Sequence, residues 1–276
     1  MYSIYHFFKH LIDNKQYFKR IEKLEEFPFD NSMLSCKNAG QFPDLAIKIN
    51  IDNAIFTGGE LIELKDSKSY TIPSFNSTIP SGQKEISKVI KTANSSIKKQ
   101  MEEAGNHIDL LPLREVFYLI RGKKDNNIKI VLVHGSFFET VVLNTLISRS
   151  FKQVLEERLK EKGLKINNNI KNAIVDMFSQ QENFSKTRDV DKASIKLRFR
   201  IMTQVKAQAN ILNAQKYPQI KDNTINLIIP RHTPTQEVLT LKRFSEVYTK
   251  KETEKFNIFS VKHHLNGYFT CFQKRI

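Results

Sequence analysis

The sequence predicts an α/β fold in which a mixed sheet is flanked by helices. Short segments with alternating apolar residues predict strands, and longer segments with apolar residues at helical spacing predict helices. The hydrophobic fraction of 40%, which includes 20 Phe, is sufficient to build a core in a chain of 276 residues. The disordered and fibrous classes are therefore excluded for the chain as a whole.

The first half of the chain predicts a helix, a β-hairpin, a second helix and two further strands, in that order. In the first strand of the hairpin, Leu45, Ile47 and Ile49 alternate with other residues, as expected for a strand with one buried face. Residues 67–82 are rich in Ser, Thr, Asn and Pro without a period, and they predict a long ordered loop of the kind that is often functional. The predicted elements lie at residues 2–26 (helix), 44–51 and 54–65 (hairpin), 83–103 (helix), and 115–121 and 128–134 (strands).

The second half predicts two helices, two strands and a hairpin. They lie at residues 139–162 and 167–180 (helices), 193–200 and 225–229 (strands), and 257–272 (a hairpin turning at Asn266-Gly267). The strand at 193–200 alternates strictly, so its basic side chains Lys196, Arg198 and Arg200 share one face.

The net charge of +15 lies mainly in this second half, since residues 1–150 carry +3 and residues 151–276 carry +12. A field of this sign attracts a polyanion, and nucleic acid is the commonest such partner. The alternative is that the lysines reflect a general Lys, Asn and Ile bias of the chain rather than a binding surface.

Several classes of protein are excluded by what the sequence lacks. No segment approaches the ~18 to 20 apolar residues of a membrane span, and the N-terminal residues lack a signal-peptide pattern. Two cysteines, Cys36 and Cys271, are too few for a disulfide framework or a cysteine-based zinc site. We therefore expect a cytoplasmic protein with no membrane partner. Hydrolase triads and P-loop nucleotide binding are not expected either, because His134-Gly135-Ser136 lacks the G-x-S-x-G pattern and no P-loop motif is present.

Two acids and a lysine stand at positions that suit metal-dependent phosphate chemistry. Asp44 follows Pro43 at the start of the predicted hairpin, and Glu63 and Lys65 lie two residues apart near its end, so their side chains share a face. Carboxylate oxygens bind Mg²⁺, which takes one or two protein carboxylates alongside phosphate oxygens. Lys65 would hold the attacking water and help to deprotonate it. The alternative is a solvated strand face preceded by an ordinary loop.

Pro43-Asp44 and Glu63-Leu64-Lys65 resemble the motif of the PD-(D/E)xK nuclease superfamily, and within it the type II restriction endonucleases. The resemblance covers residues 1–135, whose order of elements is similar to a restriction-endonuclease-like core of a central mixed sheet flanked by helices. It implies that Asp44 and Glu63 are metal ligands and that Lys65 is the catalytic lysine.

The resemblance also implies a function and a domain division. It implies Mg²⁺-dependent, sequence-specific hydrolysis of double-stranded DNA that leaves 5′-phosphate and 3′-hydroxyl ends. Most such enzymes cut palindromes as homodimers, and a cognate DNA methyltransferase is the expected partner in the cell. We expect a nuclease core at residues 1–138 and a basic α/β extension at 139–276 for DNA binding and dimerisation, packed on the core as one compact unit. Two alternatives stay open: a structure-specific repair or recombination nuclease of the same superfamily, and a non-catalytic DNA-binding protein with an accidental motif.

Further site residues are expected around the motif. Glu60 is a candidate additional acid if a bulge at Gly58-Gly59 re-aims its side chain toward Glu63. Contacts to DNA are expected from one strand face and from the loop after the motif, at Lys196, Arg198, Arg200, Ser74, Asn76, Ser77 and Thr78. The alternatives are a solvated basic face and a loop scaffold.

Overall fold

The structure is a computed structural model, and it describes residues 2–14, 33–37, 42–49, 58–72, 80–90, 96–106, 108–139, 143–179, 185–188, 194–197 and 210–276. Contacts divide the chain into two compact units, one of residues 1–139 with 204–276 and one of residues 140–203. In chain order the described elements are α1 (Tyr2–Asp13), β1 (Leu34–Lys37), β2 (Leu45–Ile47), β3 (Leu61–Ser67), β4 (Gln83–Glu85), α2 (Ile86–Val89), α3 (Ser96–Glu103), a 3₁₀ helix (Ile108–Leu110), β5 (Leu113–Lys124), β6 (Asn127–His134), a second 3₁₀ helix (Gly135–Phe138), α4 (Leu143–Glu161), α5 (Asn168–Ser179), β7 (Ser185–Arg188), β8 (Ser194–Leu197), β9 (Thr224–Arg231), α6 (Pro234–Val247), α7 (Lys250–Thr253), β10 (Asn257–His263) and β11 (Gly267–Arg275).

The first unit contains a mixed sheet of nine strands. Eight of them follow the order β1-β2-β3-β5-β6-β9-β11-β10, and β4 pairs with the start of β5. β3 lies parallel to β5 and β6 lies parallel to β9, whereas the other neighbours along this order are antiparallel. The predicted α/β class, a mixed sheet flanked by helices, is confirmed.

The C-terminal segment belongs to the same sheet as the residues that carry the motif. β9 lies beside β6, from Lys129 opposite Thr224 to Val133 opposite Ile228, and β11 and β10 extend the sheet further. The first six residues of β9 are all buried, as is typical of a strand that is covered on both faces. By contacts, residues 204–276 lie in the first unit and residues 140–203 form the second. The expected division of one compact unit into a nuclease core at 1–138 and a DNA-binding extension at 139–276 stays a prediction.

Hydrophobic clusters cover both faces of this sheet. On one face Phe117 and Leu119 of β5 pack with buried side chains of α1 and α6. On the other face Tyr118 of β5 packs with Met101 of α3 and with Phe138. Each such side chain contributes roughly 1.5 to 3 kcal/mol when it is fully buried, so the sheet is a rigid support for residues at its rim. Among the described residues, no helix is long and apolar enough to cross a membrane.

The second unit contains two helices and a two-stranded sheet in its described residues. The helices α4 and α5 pack together, with Lys171 Nζ 3.3 Å from Glu156 Oε1. β7 and β8 are antiparallel, from Ser185 opposite Leu197 to Arg188 opposite Ser194. The helices predicted at 139–162 and 167–180 correspond to α4 and α5, and β8 lies within the strand predicted at 193–200.

The predicted helix at 83–103 is wrong at its start. Residues Gln83–Glu85 form β4, antiparallel to β5 with Lys84 opposite Arg114, and helix begins only at Ile86. Gln, Lys and Glu favour helices in isolation, but pairing with β5 overrides that preference here. The predicted helix at 2–26 is found as α1, and its part beyond residue 14 lies outside the described residues.

The predicted hairpins are found with shifted bounds, and some elements have no predicted counterpart. β2 and β3 pair antiparallel, and so do β10 and β11. β5 and β6 are longer than predicted, because the turn between them is only Asp125 and Asn126. No pattern in the sequence analysis predicts β1, α6 or α7. The start of α6 does carry a signal, since Thr233 is its N-cap and Pro234 opens its first turn.

Candidate active site

The β2-β3 hairpin brings the two predicted acids together. Leu45 of β2 lies opposite Ile62 of β3, so the next step along this antiparallel register sets Asp44 opposite Glu63. The backbone N–H of Leu64 donates a hydrogen bond of 2.8 Å to Asp44 Oδ2. Asp44 therefore stays next to Glu63 although it lies just before the start of β2.

Two glycines allow the chain to enter β3 at this place. Gly58 and Gly59 have φ angles of +72° and +91°, and a Cβ atom on Gly58 would lie 1.8 Å from the carbonyl oxygen of Lys48. Hydrogen bonds from Gly59 N to Ile47 O, and from Ile47 N to Glu60 O, continue the pairing of the two strands. Only glycine tolerates both this backbone region and this close approach.

Lys65 lies on the same face of β3 as Glu63 and is in contact with it. Lys65 Nζ donates a hydrogen bond of 2.7 Å to Glu63 Oε1, and the exposed fractions of the two side chains are 16% and 7%. The second carboxylate oxygen of Glu63 is buried and has no hydrogen-bond partner among the described residues. Buried carboxylate oxygens are usually satisfied. Glu60 Oε2 likewise accepts no hydrogen bond from the described residues, so it is the position of Glu63 between Asp44 and Lys65 that makes Glu63 the candidate ligand.

The electrostatics of the two acids are those of a crowded carboxylate pair. Burial raises the pKa of Asp44 to about 7, and the neighbouring Glu63 carboxylate adds to the shift; the Leu64 N–H and the Lys65 ammonium oppose it. Two carboxylates in one buried site cannot both ionise cheaply, so the raised pKa of Asp44 favours retention of a proton on this carboxyl group. A bound cation would relieve this repulsion and take the place of the proton.

Two further side chains lie beside the carboxylates and were not predicted. Burial lowers the pKa of Lys84 on β4, while the Glu63 and Glu139 carboxylates act to raise it, so this lysine lies in the field of the site. Its Nζ is 5.3 Å from the centre of the Phe42 ring. Tyr118 of β5 lies opposite Glu63 in the parallel register, and burial followed by the Glu63 charge raises its pKa. Lys84 is missed because residues 83–85 were expected in a helix.

Glu60 is turned to a different environment. Ser3 of α1 donates a hydrogen bond to Glu60 Oε1, and the charge of Glu60 acts on the buried Arg114. α1 packs on the sheet face opposite to the one that carries Glu63. The structure thus brings Asp44, Glu63 and Lys65 together and gives Glu60 to a buried polar network.

A second polar cluster lies near the start of β5, and we call it the capping cluster; it consists of Gln83, Glu115, His134 and Ser136. His134 Nε2 is 2.6 Å from Glu115 Oε2, and His134 Nδ1 is 2.7 Å from Ser136 Oγ. The backbone N–H of Ser136 also donates to His134 Nδ1 at 3.4 Å, so the histidine caps the 3₁₀ helix that follows β6. Gln83 donates to the other oxygen of Glu115 at 2.8 Å. Every group in this cluster has a local structural partner.

Most of the predicted DNA contacts lie outside the described residues. Ser74, Asn76, Ser77, Thr78, Arg198 and Arg200 lie outside the described residues. Lys196 lies in β8, with only its backbone described. These residues stay predictions.

The donor set of the site suits a hard cation that keeps most of its water. Among the described residues, no group of three His, Cys, Asp or Glu side chains is placed to hold a metal ion. Mg²⁺ needs only one or two protein carboxylates when substrate phosphate supplies further oxygens. Asp44 and Glu63, with one buried oxygen unsatisfied, fit that requirement.

Comparison with known proteins adds no relative. No protein-family model, curated protein or solved structure matches the chain.

Proposed function

We propose that this chain is a Mg²⁺-dependent type II restriction endonuclease, an enzyme that hydrolyses phosphodiester bonds of double-stranded DNA at a specific sequence. The observation that carries the proposal is the crowding of Asp44 against Glu63 while Lys65 holds one oxygen of Glu63 at 2.7 Å. Two ionised carboxylates side by side in a buried site repel each other when no ligand is bound. The arrangement therefore suits a site that binds a cation beside an anionic substrate.

Each residue has a distinct role in this proposal. Asp44 and Glu63 would hold Mg²⁺, which stabilises negative charge on the scissile phosphate and on the leaving oxygen. Lys65 orients the attacking water with its ammonium group and stabilises the negative charge that develops on the phosphate. Water loses a proton to the solvent as its oxygen adds to phosphorus, and the bond from phosphorus to the 3′ oxygen breaks. The 3′ oxygen takes up a proton from the solvent, so the products carry a 5′-phosphate and a 3′-hydroxyl. The hydrophobic cores on both sides of the sheet keep these three side chains in register.

The test is digestion of plasmid DNA by the purified chain with Mg²⁺ and with EDTA. We expect discrete fragments with 5′-phosphate ends in Mg²⁺, no cleavage in EDTA, and loss of cleavage in Lys65→Ala. Glu115→Gln is the matched control, because it alters a carboxylate of the same sheet that lies in the capping cluster. Cleavage that survives in Lys65→Ala would show that the active site is elsewhere.

A substrate panel separates the proposal from its two rivals. Cleavage of branched or single-stranded DNA only would support a repair or recombination nuclease of the same superfamily. Tight binding of duplex DNA with no cleavage under any metal would support a non-catalytic DNA-binding protein. For the restriction role we expect a homodimer in light scattering and protection of the site by a cognate DNA methyltransferase, since two-fold symmetry matches palindromic DNA.

A further inference from the structure

One end of the nine-stranded sheet carries a group of six basic residues, which we call the basic sheet end; five of them are exposed and Lys274 is half-buried. It consists of Lys68, Lys123, Lys124, Lys221, Lys274 and Arg275. They come from distant parts of the chain, and only the sheet topology brings them to one rim. No local sequence pattern identifies this group.

The pairing of the strands places all six residues at the same end. The parallel strands β3 and β5 both finish there, with Ser67 opposite Gly122, just before Lys68 and Lys123. β9 begins there, and the last strand of the chain ends there, with Arg275 opposite Thr224. β3 runs from Glu63 through Lys65 toward this end of the sheet. The basic sheet end therefore lies beyond Lys65, as seen from the two carboxylates of the candidate active site.

Acids at this end are largely neutralised by other cations. Asp66 is 2.7 Å from Arg121 Nε, and Asp222 is 3.3 Å from the buried Lys129. Asp125 lies at the tip of the β5-β6 turn. Because Arg121 and Lys129 already neutralise two acids, the six residues of the basic sheet end leave a strongly positive rim.

The opposite end of the same sheet differs in charge. Exposed acids lie there before and after β5 and β6, at Glu85, Asp109 and Glu139. Arg231 at that end is paired with Glu237 at 3.0 Å, and Arg114 is buried. The opposite end also carries the exposed Lys262, so its charges are mixed, and an extended polyanion is attracted more strongly to the basic sheet end.

The dimensions of the basic sheet end suit a DNA duplex. Four inter-strand spacings separate β3 from β11, or about 19 Å at roughly 4.8 Å each. The rise of B-DNA is about 3.4 Å per base pair, so this distance matches five to six base pairs. Lys68 follows Lys65 by three residues, at most about 10 Å along the direction of β3, so Lys65 lies close to the basic sheet end.

We infer that double-stranded DNA lies across the basic sheet end, with its phosphates on these six residues, and reaches the Asp44-Glu63 pair over Lys65. The inference rests on the proposed function for its choice of DNA as the polyanion. It places contacts on the first unit, in addition to those predicted for Lys196, Arg198 and Arg200.

Two charge-matched double variants test this surface by binding alone. Lys123→Gln with Lys124→Gln removes two charges from the exposed hairpin tip of the basic sheet end. Lys242→Gln with Lys262→Gln removes two exposed charges from α6 and β10, away from that end. Binding of a labelled duplex of about 20 base pairs is measured by fluorescence anisotropy in EDTA between roughly 50 and 200 mM NaCl.

We expect the hairpin-tip variant to weaken binding by about 30-fold near 0.15 M salt and to reduce the salt slope by about 1.8, as two lost phosphate contacts require. The control variant should change neither by more than about twofold. Equal effects of the two variants would overturn the inference, and so would stronger binding of single-stranded DNA or RNA than of the duplex. Cleavage is not part of this readout, so a protein that binds through the basic sheet end but does not cut DNA would refute only the proposed function.

Discussion

Asp44 and Glu115 are both half-buried carboxylates beside the same sheet, yet their surroundings shift their pKa values in opposite directions. Burial raises the pKa of Asp44 to about 7, with a second carboxylate adding to the shift. Burial also acts to raise the pKa of Glu115, but hydrogen bonds from His134 and Gln83 outweigh it and lower the pKa. Similar desolvation therefore has opposite outcomes, decided by whether the nearest polar group is an acid or a donor.

The contrast separates a structural carboxylate from a carboxylate that is ready for a ligand. Both oxygens of Glu115 have partners in the fold, at 2.6 and 2.8 Å. In the Asp44-Glu63 pair, by contrast, one buried oxygen of Glu63 has no hydrogen-bond partner among the described residues. Natural proteins accept such local conflicts mainly where they serve binding or catalysis.

The largest expected effect is on cleavage. Glu63→Gln and Glu115→Gln each replace a carboxylate by an amide of the same shape. Glu63→Gln removes a proposed metal ligand and the ion pair with Lys65. If the proposed function holds, Mg²⁺-dependent cleavage of plasmid DNA should fall by at least about 100-fold, more than a supporting residue would cost.

The control in this pair is Glu115→Gln, which should leave the cleavage rate within about threefold once folding is verified by circular dichroism. If the two amides reduce cleavage equally at equal stability, the difference drawn between the two carboxylates is wrong.

The proximity of Asp44, Glu63 and Lys65 could be predicted from sequence because the three residues are local. Asp44, Glu63 and Lys65 lie on one hairpin, where alternation and strand pairing fix their common face. Lys84 could not be predicted, since its three-residue strand has helix-favouring residues and depends on pairing with β5.

The strand pairing beyond β6 could not be predicted from the sequence either. Val133 of β6 pairs with Ile228 of β9, residues far apart in the chain, and such a parallel pairing leaves no pattern in either segment. Residues 225–229 alone predict a strand but not its neighbour. The basic sheet end, which depends on that pairing, could be found only in three dimensions.

The next largest effect is expected on the free energy of unfolding, to which the capping cluster contributes. His134 is buried, bonded to Glu115 and Ser136, and its ring lies 5.1 Å from that of Phe117. His134→Ala removes these contacts and leaves Glu115 Oε2 without its partner, while Gln83 still donates to Oε1. We therefore expect a loss of about 2 to 3 kcal/mol in urea unfolding. His264→Ala, at an exposed position, should change stability by no more than about 0.5 kcal/mol. A loss below that level in His134→Ala would show that the cluster does not stabilise the fold.

The carboxylate pair should have the opposite effect on stability. The pKa of Asp44 is raised in the folded state, so its ionisation disfavours folding as pH rises from about 4 to 7, and the penalty is full above pH 7. Asp44→Asn removes the penalty and should raise the free energy of unfolding by about 1 to 2 kcal/mol at pH 8 in EDTA, with a smaller gain at pH 5. Urea unfolding at the two pH values measures this difference.

Glu115 supplies the control with the reverse sign. Its folded pKa is lowered, so its contribution to stability is present above the ordinary glutamate pKa and is lost as pH falls through the folded value. Glu115→Gln should therefore destabilise the protein at pH 7 and have less effect below about pH 4. A gain in stability for Glu115→Gln at pH 7 would contradict the opposite signs predicted for the two carboxylates.

The smallest effect expected is the stabilisation by Mg²⁺ without DNA. A cation that binds only the folded state adds RT ln(1 + [L]/Kd), or about 1.4 kcal/mol at ten times Kd, which corresponds to a rise of a few degrees in Tm. Asp44→Asn and Glu63→Gln should abolish this rise, because each removes one of the two carboxylates, whereas Glu115→Gln should retain it. Scanning calorimetry with MgCl₂ and with an equal ionic strength of NaCl separates metal binding from screening. A rise that persists in both site variants would place the metal elsewhere, and the raised pKa of Asp44 would then be only the result of two acids buried side by side.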